Sequence, residues 1–331
     1  MARIRMGQKR VNKTWREFIV DQIKVGKVVP IIGNTVANNV LLGGHDAMVK
    51  EFAAYLKYPG SDDADLAQIT QFVSVSDESP DGEDAIKSDY LNWVKSRLFS
   101  IAEETRVSGD LLEEADARFD EMGFGGLCNS LGFPRFGDPR SDPMLVLAQM
   151  PLPIYLTTSY HGLLEAALIK AGKQPQTATC NWSALGARND NMAEDYRPTP
   201  EQPLVFHLHG HDSEPHSLVL TENNYMAFLV AVARDIGRET DLIPARVRHA
   251  LADSSLIMMG FEPDSWDFRT LLWGLLQPRP RKQTSVTILQ VKPSRSRENY
   301  LRHLMHSAAL EIYWGDPGQF TGELMSDLGY L

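Results

Sequence analysis

Leu204-Val205-Phe206-His207-Leu208-His209-Gly210 is a short apolar run that closes on a histidine followed at once by a glycine. An unbroken apolar run of this length fits a strand covered on both faces, as in a parallel sheet, better than the alternating strand of a half-wet sheet. The same kind of run recurs along the chain. Val28–Ile32 stops at Gly33-Asn34, Ile154–Thr157 runs into Thr158-Ser159-Tyr160, Ser255–Met259 stops at Gly260-Phe261, and Ser285–Gln290 and Leu310–Trp314 follow. Helical spacing separates them at Leu163–Leu168, Asn223–Ala233, Pro244–Ala252, Trp266–Leu276 and Glu298–His306. Strands alternating with helices predict an α/β fold with a doubly wound parallel sheet. Ser217–Leu220 reads as one further strand, and the polar stretch from Gly172 to Pro203, containing Pro175, Pro198 and Pro200, reads as a linker.

Between the first strand and the second the pattern changes. An amphipathic helix is expected from Trp15 to Val25, before the first strand, and the region of about 50–150 is mainly helical, with Phe52, Tyr55, Leu56, then Leu66, Ile69, Phe72, and later Leu91, Val94, Leu98 on helical spacing. It reads as a helical insertion lobe, interrupted by an exposed acidic loop from Ser74 to Asp89 and closed by a helix at Met144–Met150. The expected organisation is a single domain over 14–328 with a basic N-terminal extension at 1–13.

Composition narrows the function. Acidic residues outnumber basic ones 43 to 33, a net charge of −10, which argues against broad nucleic-acid binding. The two cysteines, Cys128 and Cys180, have neither disulfide-framework nor CxxC spacing, so no structural zinc site is indicated. No segment approaches the ~20 apolar residues of a membrane span, and the basic N-terminus lacks the apolar stretch of a signal peptide, so a cytoplasmic protein is expected.

Ligands of a doubly wound sheet bind outside the carboxyl ends of its strands. The tips Gly33-Asn34-Thr35, Thr158-Ser159-Tyr160, His209-Gly210 and Gly260-Phe261 are therefore the candidate site. The small polar turn after Ile32 allows backbone amides to approach a phosphate or ribose, and glycine at position 260 allows close ligand approach, although each taken singly is also an ordinary turn. An imidazole at position 209 titrates near neutrality and can act as a base. Strict alternation puts His207 on the same face as His209, set back and structural; His211 reads as a solvated loop residue. Asp264 and Asp267 read as structural, Asp264 as the cap of the helix near Trp266, and Tyr225, Phe228 and Trp273 as core. A metal site from His207, His209 and His211 lacks further ligands.

Taken in order, strand-Gly33-Asn34, Thr157-Thr158-Ser159-Tyr160 opening a helix with Glu165, Leu208-His209-Gly210, Leu220-Thr221-Glu222-Asn223-Asn224-Tyr225, Met259-Gly260-Phe261 with Asp264 and Asp267-Phe268-Arg269, and Tyr313-Trp314-Gly315 resemble the sirtuin-like family. The resemblance is greatest to its zinc-free bacterial branch used in antiphage defence, and it spans about Val28 to Leu328. It implies a Rossmann-like sheet without a zinc module, NAD+ as substrate, no metal, and hydrolysis to nicotinamide and ADP-ribose. By position, it makes His209 the catalytic histidine and Ser159 its catalytic partner, standing where the family usually has asparagine. His161 stands where an aspartate is frequent. Gly33, Asn34, Thr35, Thr158, Tyr160, Gly210, Gly260, Phe261 and Asp264 become the NAD+-binding set. A free-running NAD+ hydrolase would kill its host, so the resemblance also implies abortive infection gated by a partner protein or oligomerisation. The alternative is a catalytically weak nucleotide-binding module serving as sensor or scaffold.

Overall fold

The computed structural model describes residues 14–61, 65–76, 82–183, 195–235, 242–263, 265–276, 287–291 and 310–329. The expected helix at Glu298–His306 and the candidate Asp264 lie outside them.

Seven strands form one sheet in the order β3-β4-β2-β1-β5-β6-β7. They are β1 (Val28–Ile32), β2 (Ile154–Thr157), β3 (Gln176–Thr179), β4 (Leu204–His207), β5 (Ser255–Met259), β6 (Thr287–Val291) and β7 (Leu310–Trp314). Every pairing is parallel, as the unbroken apolar runs predict. The chain starts in the middle, builds β2, β3 and β4 to one side, then crosses to β5, β6 and β7 on the other. The order therefore reverses at β1, and the crevice outside its carboxyl end is the place for a ligand. Pro30 lies in this central strand and has no N–H to give. Pairing of β1 with β2 is accordingly confined to Ile31 and Ile32, while all five residues pair with β5.

Alternation sorts the strand side chains into two cores. Val28, Ile32, Tyr155, Val205, Ile257 and Ile288 face one; Val29, Ile31, Leu156, Phe206, Leu256, Met258 and Leu289 face the other. The first is covered by α1 (Trp15–Lys24), α8 (Pro143–Gln149), α9 (Leu163–Lys170) and α13 (Pro317–Leu328), with a helical lobe beyond them. The second is covered by α10 (Glu222–Asp235), α11 (Ala245–Asp253) and α12 (Trp266–Thr270), the last continuing as a π-helical turn over Leu271–Leu276. Helix α1 carries a full capping box, Thr14 with Glu17, which fixes its start.

The helical lobe is α2 (Asn34–Leu41), α3 (His45–Tyr55), α4 (Leu66–Ser74), α5 (Gly82–Glu104), α6 (Gly109–Asp116) and α7 (Phe124–Ser130), all between β1 and β2. No strand interrupts it among the described residues. The acidic stretch expected as a loop from Ser74 to Asp89 instead contains the start of α5, with Ile86 and Lys87 buried. Its acidic residues Glu83 and Asp84 occupy the helix's first turn, where negative charge is favourable.

Three further expectations are corrected. The stretch read as a linker after Gly172 contains the edge strand β3, whose Gln176 and Thr177 are exposed; a short polar edge strand carries no apolar signal. Ser217–Leu220 is not a strand but the end of a 3-10 turn, Pro215–Ser217, and an extended passage. Both edges of β4, the strand that precedes it, are already taken by β2 and β3. Trp273 is half exposed rather than core.

Candidate active site

Three strand ends meet at the switch point. Gly33 ends β1 and caps α2, and its amide is bound to the Met259 carbonyl at 2.8 Å. It cannot offer that N–H to a ligand. The next two amides, Asn34 and Thr35, open the first turn of α2, where helix N–H groups have no partner within the helix and the dipole end is positive. The Asn34 Oδ1 is buried without a partner, and Asn34 and Thr35 both line the crevice.

Gly260 has φ +78°, and a side chain there would meet Val36 Cγ2 at 2.4 Å. The close approach that glycine permits is thus made by α2, which it lets sit down on β5. Gly210 has φ +89°, and a Cβ would lie 2.3 Å from the Ser217 carbonyl oxygen. A backbone atom cannot swing away, so Gly210→Ala is expected to destabilise the protein by about 3 kcal/mol, read as a lowered urea midpoint.

Past β4 the chain turns sharply, and the two histidines separate. Strict alternation fails because the strand ends at His207. His207 Nδ1 lies 2.6 Å from the Ser159 carbonyl and Nε2 lies 2.8 Å from Glu165 Oε1, on the α9 side. His209 lies on the α10 side, edge-on to Phe228 at 4.8 Å and to Tyr225 at 5.4 Å. Its exposure is 2%, and neither ring nitrogen has a hydrogen-bond partner. Burial pushes its pKa down to about 4 against the upward pull of Asp267, so the imidazole is neutral at pH 7.

Asp267 lies in the first turn of α12 and, although its sequence setting is that of a structural residue, it faces the crevice. It receives the Tyr225 hydroxyl in a short hydrogen bond and the Thr158 hydroxyl at 3.5 Å. Its Oδ1 lies 3.8 Å from His209 Nδ1, and it lines the crevice. The helix that presents it is capped by Ser265, whose hydroxyl accepts the Phe268 amide. An aspartate in the first turn of a short capped helix has an ordinary capping role in sequence, and only the fold brings it beside His209.

Ser159 and His209 each lie two residues beyond the paired Thr157 and His207 of β2 and β4. The Ser159 hydroxyl is buried without a partner. Thr158 is buried, its amide held by the Ile32 carbonyl. Tyr160 points away, into the helical lobe, against Tyr90, Phe124 and His161. Phe261 is buried and forms part of the crevice wall.

The crevice is also lined by His45, Asp65, Trp266 and Tyr225. Burial lifts the Asp65 carboxyl above its usual value, and Asp267 nearby adds to the effect. Two carboxylates with two helix-start amides suit a ligand that carries both hydroxyl donors and phosphate. The crevice is narrow, with a volume of about 70 Å³. A larger cavity, about 680 Å³, lies elsewhere, against α7 and α9. Among the described residues, no three or more His, Cys, Asp or Glu side chains are grouped to hold a metal, and no helix is long and apolar enough to cross a membrane.

Residues 153–309 match the family model of the SIR2-like domain. That segment contains Ser159, His209 and Asp267; Gly33 and Asn34 precede it. Over 142 residues, 41% of this chain, the sequence is 26% identical to the NAD(+) hydrolase ThsA of Enterococcus faecium. The chain spans about 28% of the length of that relative. The seven-stranded parallel sheet, with a crevice at its switch point, is a Rossmann-like α/β fold, and its residues 153–309 are similar to the SIR2-like domain.

Proposed function

We propose that the protein hydrolyses NAD+, adding water across the nicotinamide–ribose bond to give nicotinamide, ADP-ribose and a proton. The observation that carries this reading is His209: a buried, neutral imidazole with both nitrogens unpartnered, beside Asp267, at the carboxyl end of β4. A buried polar group without a partner costs stability and is retained where it has a task. The similarity to a protein named an NAD(+) hydrolase supports the same reading.

Cleavage of this bond passes through a cationic sugar, and nicotinamide departs neutral, so the site needs position and a proton acceptor more than a strong acid. The amides of Asn34 and Thr35 would take the diphosphate. Asp65 and Asp267 would accept ribose hydroxyls. His209 would accept the proton from water or a ribose hydroxyl, and the imidazolium so formed gains the Asp267 carboxylate at 3.8 Å. Ser159 would orient the water through its unpartnered hydroxyl. The narrow crevice supports a gated enzyme, acting in the cytoplasm as an abortive-infection effector whose crevice a partner protein or oligomerisation opens.

The test is incubation of the full chain with NAD+, alone and with the product of the neighbouring gene, while nicotinamide is followed by chromatography. Release above the rate of a protein-free control is the expected result; NAD+ left intact in every condition overturns the enzyme. The second reading, a nucleotide-binding module without turnover, is favoured by one observation, the short Ser159 side chain where the family usually has asparagine. Ser159→Asn is expected to raise nicotinamide release about tenfold, some 1.4 kcal/mol of barrier, by extending the polar group toward the water. NAD+ binding by calorimetry with no release in either form is the signature of the second reading.

A further inference from the structure

The cavity of about 680 Å³ lies on the opposite side of the β4 turn from Asp267, between α7, α9, the His161-Gly162 turn and the loop His211–Ser213. Its walls are mostly apolar, with Phe124, Leu163, Ala166 and Ile169 among them. Size and lining are those of a small-molecule site. Two of its polar wall residues carry unmet hydrogen-bonding demand. His161 is 1% exposed and neither ring nitrogen has a partner, although its ring packs on Phe124 and Tyr160. Glu165 uses Oε1 for His207 and for the Thr177 hydroxyl at 2.8 Å, while its buried Oε2 has no partner.

The other charged wall groups are engaged. Asp212 takes the Gly125 amide at 3.0 Å through Oδ2, and its Oδ1 lies 3.0 Å from His211 Nδ1. Lys170, on the rim, holds its ammonium over the Phe136 ring at 5.4 Å. What remains is an excess of acceptors: a carboxylate oxygen and one lone pair of a neutral imidazole, against a single imidazole N–H. Phe124 adds an aromatic face.

We propose that this cavity is a second ligand site, for a small molecule bearing a planar amidinium or guanidinium head on an apolar stem. Parallel N–H groups of such a head meet Glu165 Oε2 and the His161 lone pair, the cation offsets the carboxylate, and the stem lies along Leu163, Ala166 and Ile169. Through Glu165 and His207 an occupant is linked to the Ser159 carbonyl by three successive hydrogen bonds, the last two of them present in the structure.

Calorimetric titration of the full chain with benzamidine and with agmatine, and with uncharged N-butylurea as the isostere, tests the assignment without reference to NAD+ turnover. The expected result is one site for at least one of the two cations and at least tenfold weaker binding of N-butylurea. Ala166→Phe, which fills the cavity from α9, and His161→Phe, which keeps the ring and removes both nitrogens, are each expected to weaken cation binding at least tenfold while keeping the thermal unfolding cooperative. The proposal is overturned if neither cation binds wild type up to millimolar concentration, if N-butylurea binds as well, or if both variants bind the cation like wild type. Since the readout is binding, these outcomes stand whether or not NAD+ is cleaved.

Discussion

His209→Ala is expected to lower nicotinamide release by about 10²- to 10⁴-fold, the range that a positioned acid–base group supplies. The loss should fall on kcat, because the imidazole lies behind Asp267 and Tyr225 and is not among the residues lining the crevice. Removing the ring also takes away edge contacts with Phe228 and Tyr225, so thermal unfolding has to accompany the kinetics. The pH profile adds a readout that a structural role would not give. With its pKa pushed down to about 4 by burial, His209 is deprotonated and competent throughout the neutral range. Activity carried by this group should be level from about pH 6 upward and decline as the pH nears 4. The same depressed value makes His209 bind fewer protons folded than unfolded between pH 6.5 and 4, so stability falls on acidification through that window. His161, also lowered to about 4 by burial, works in the same direction. A profile centred near pH 6.5 would exclude a buried His209 as the proton acceptor. Asp267→Asn keeps the size of the side chain and removes the charge that favours the imidazolium; it is expected to cost about tenfold in kcat.

Most of the sheet was legible because parallel strands are buried on both faces and announce themselves as apolar runs. The exceptions have physical reasons. β3 is an edge strand with two exposed polar residues, and the turn after His207 breaks the alternation that would have put both histidines on one side. The glycines after the strands were visible, but not what they admit: at Gly210 and Gly260 the close neighbour is the protein's own backbone or side chain. Asp267 and Asp65 were hidden for a different cause, since a residue near a helix start carries the same composition signal whether it caps or faces a crevice. The placement of Ser159 and His209 just past the ends of β2 and β4 was legible, because at strand tips position along the chain and position in the fold coincide.

Glu165→Ala is expected to be the most destabilising single change, about 3–5 kcal/mol by urea unfolding, because it strands His207 with no counter-charge in a fully buried place. Burial opposes the charge on both groups, yet their mutual attraction and hydrogen bond outweigh it, holding the Glu165 carboxyl below its ordinary value and the His207 imidazolium above its own. The signs define a window. The Glu165 contribution is full above its ordinary pKa of 4.5 and is lost as pH falls through the lowered value; that of His207 is full below 6.5 and is lost as pH rises through the raised one. The pair therefore stabilises most between about pH 4.5 and 6.5, and the difference between wild type and Glu165→Ala should shrink on either side. Replacing both partners by apolar residues, Glu165→Leu with His207→Phe, should cost less than the sum of the two single changes, since no charge is left unpaired. Because His207 also donates to the Ser159 carbonyl at 2.6 Å, the double variant is expected to fold well and still lose kcat, separating what the pair does for stability from what it does for the position of Ser159. A double variant as active as wild type would show that the Ser159 turn holds its place without His207.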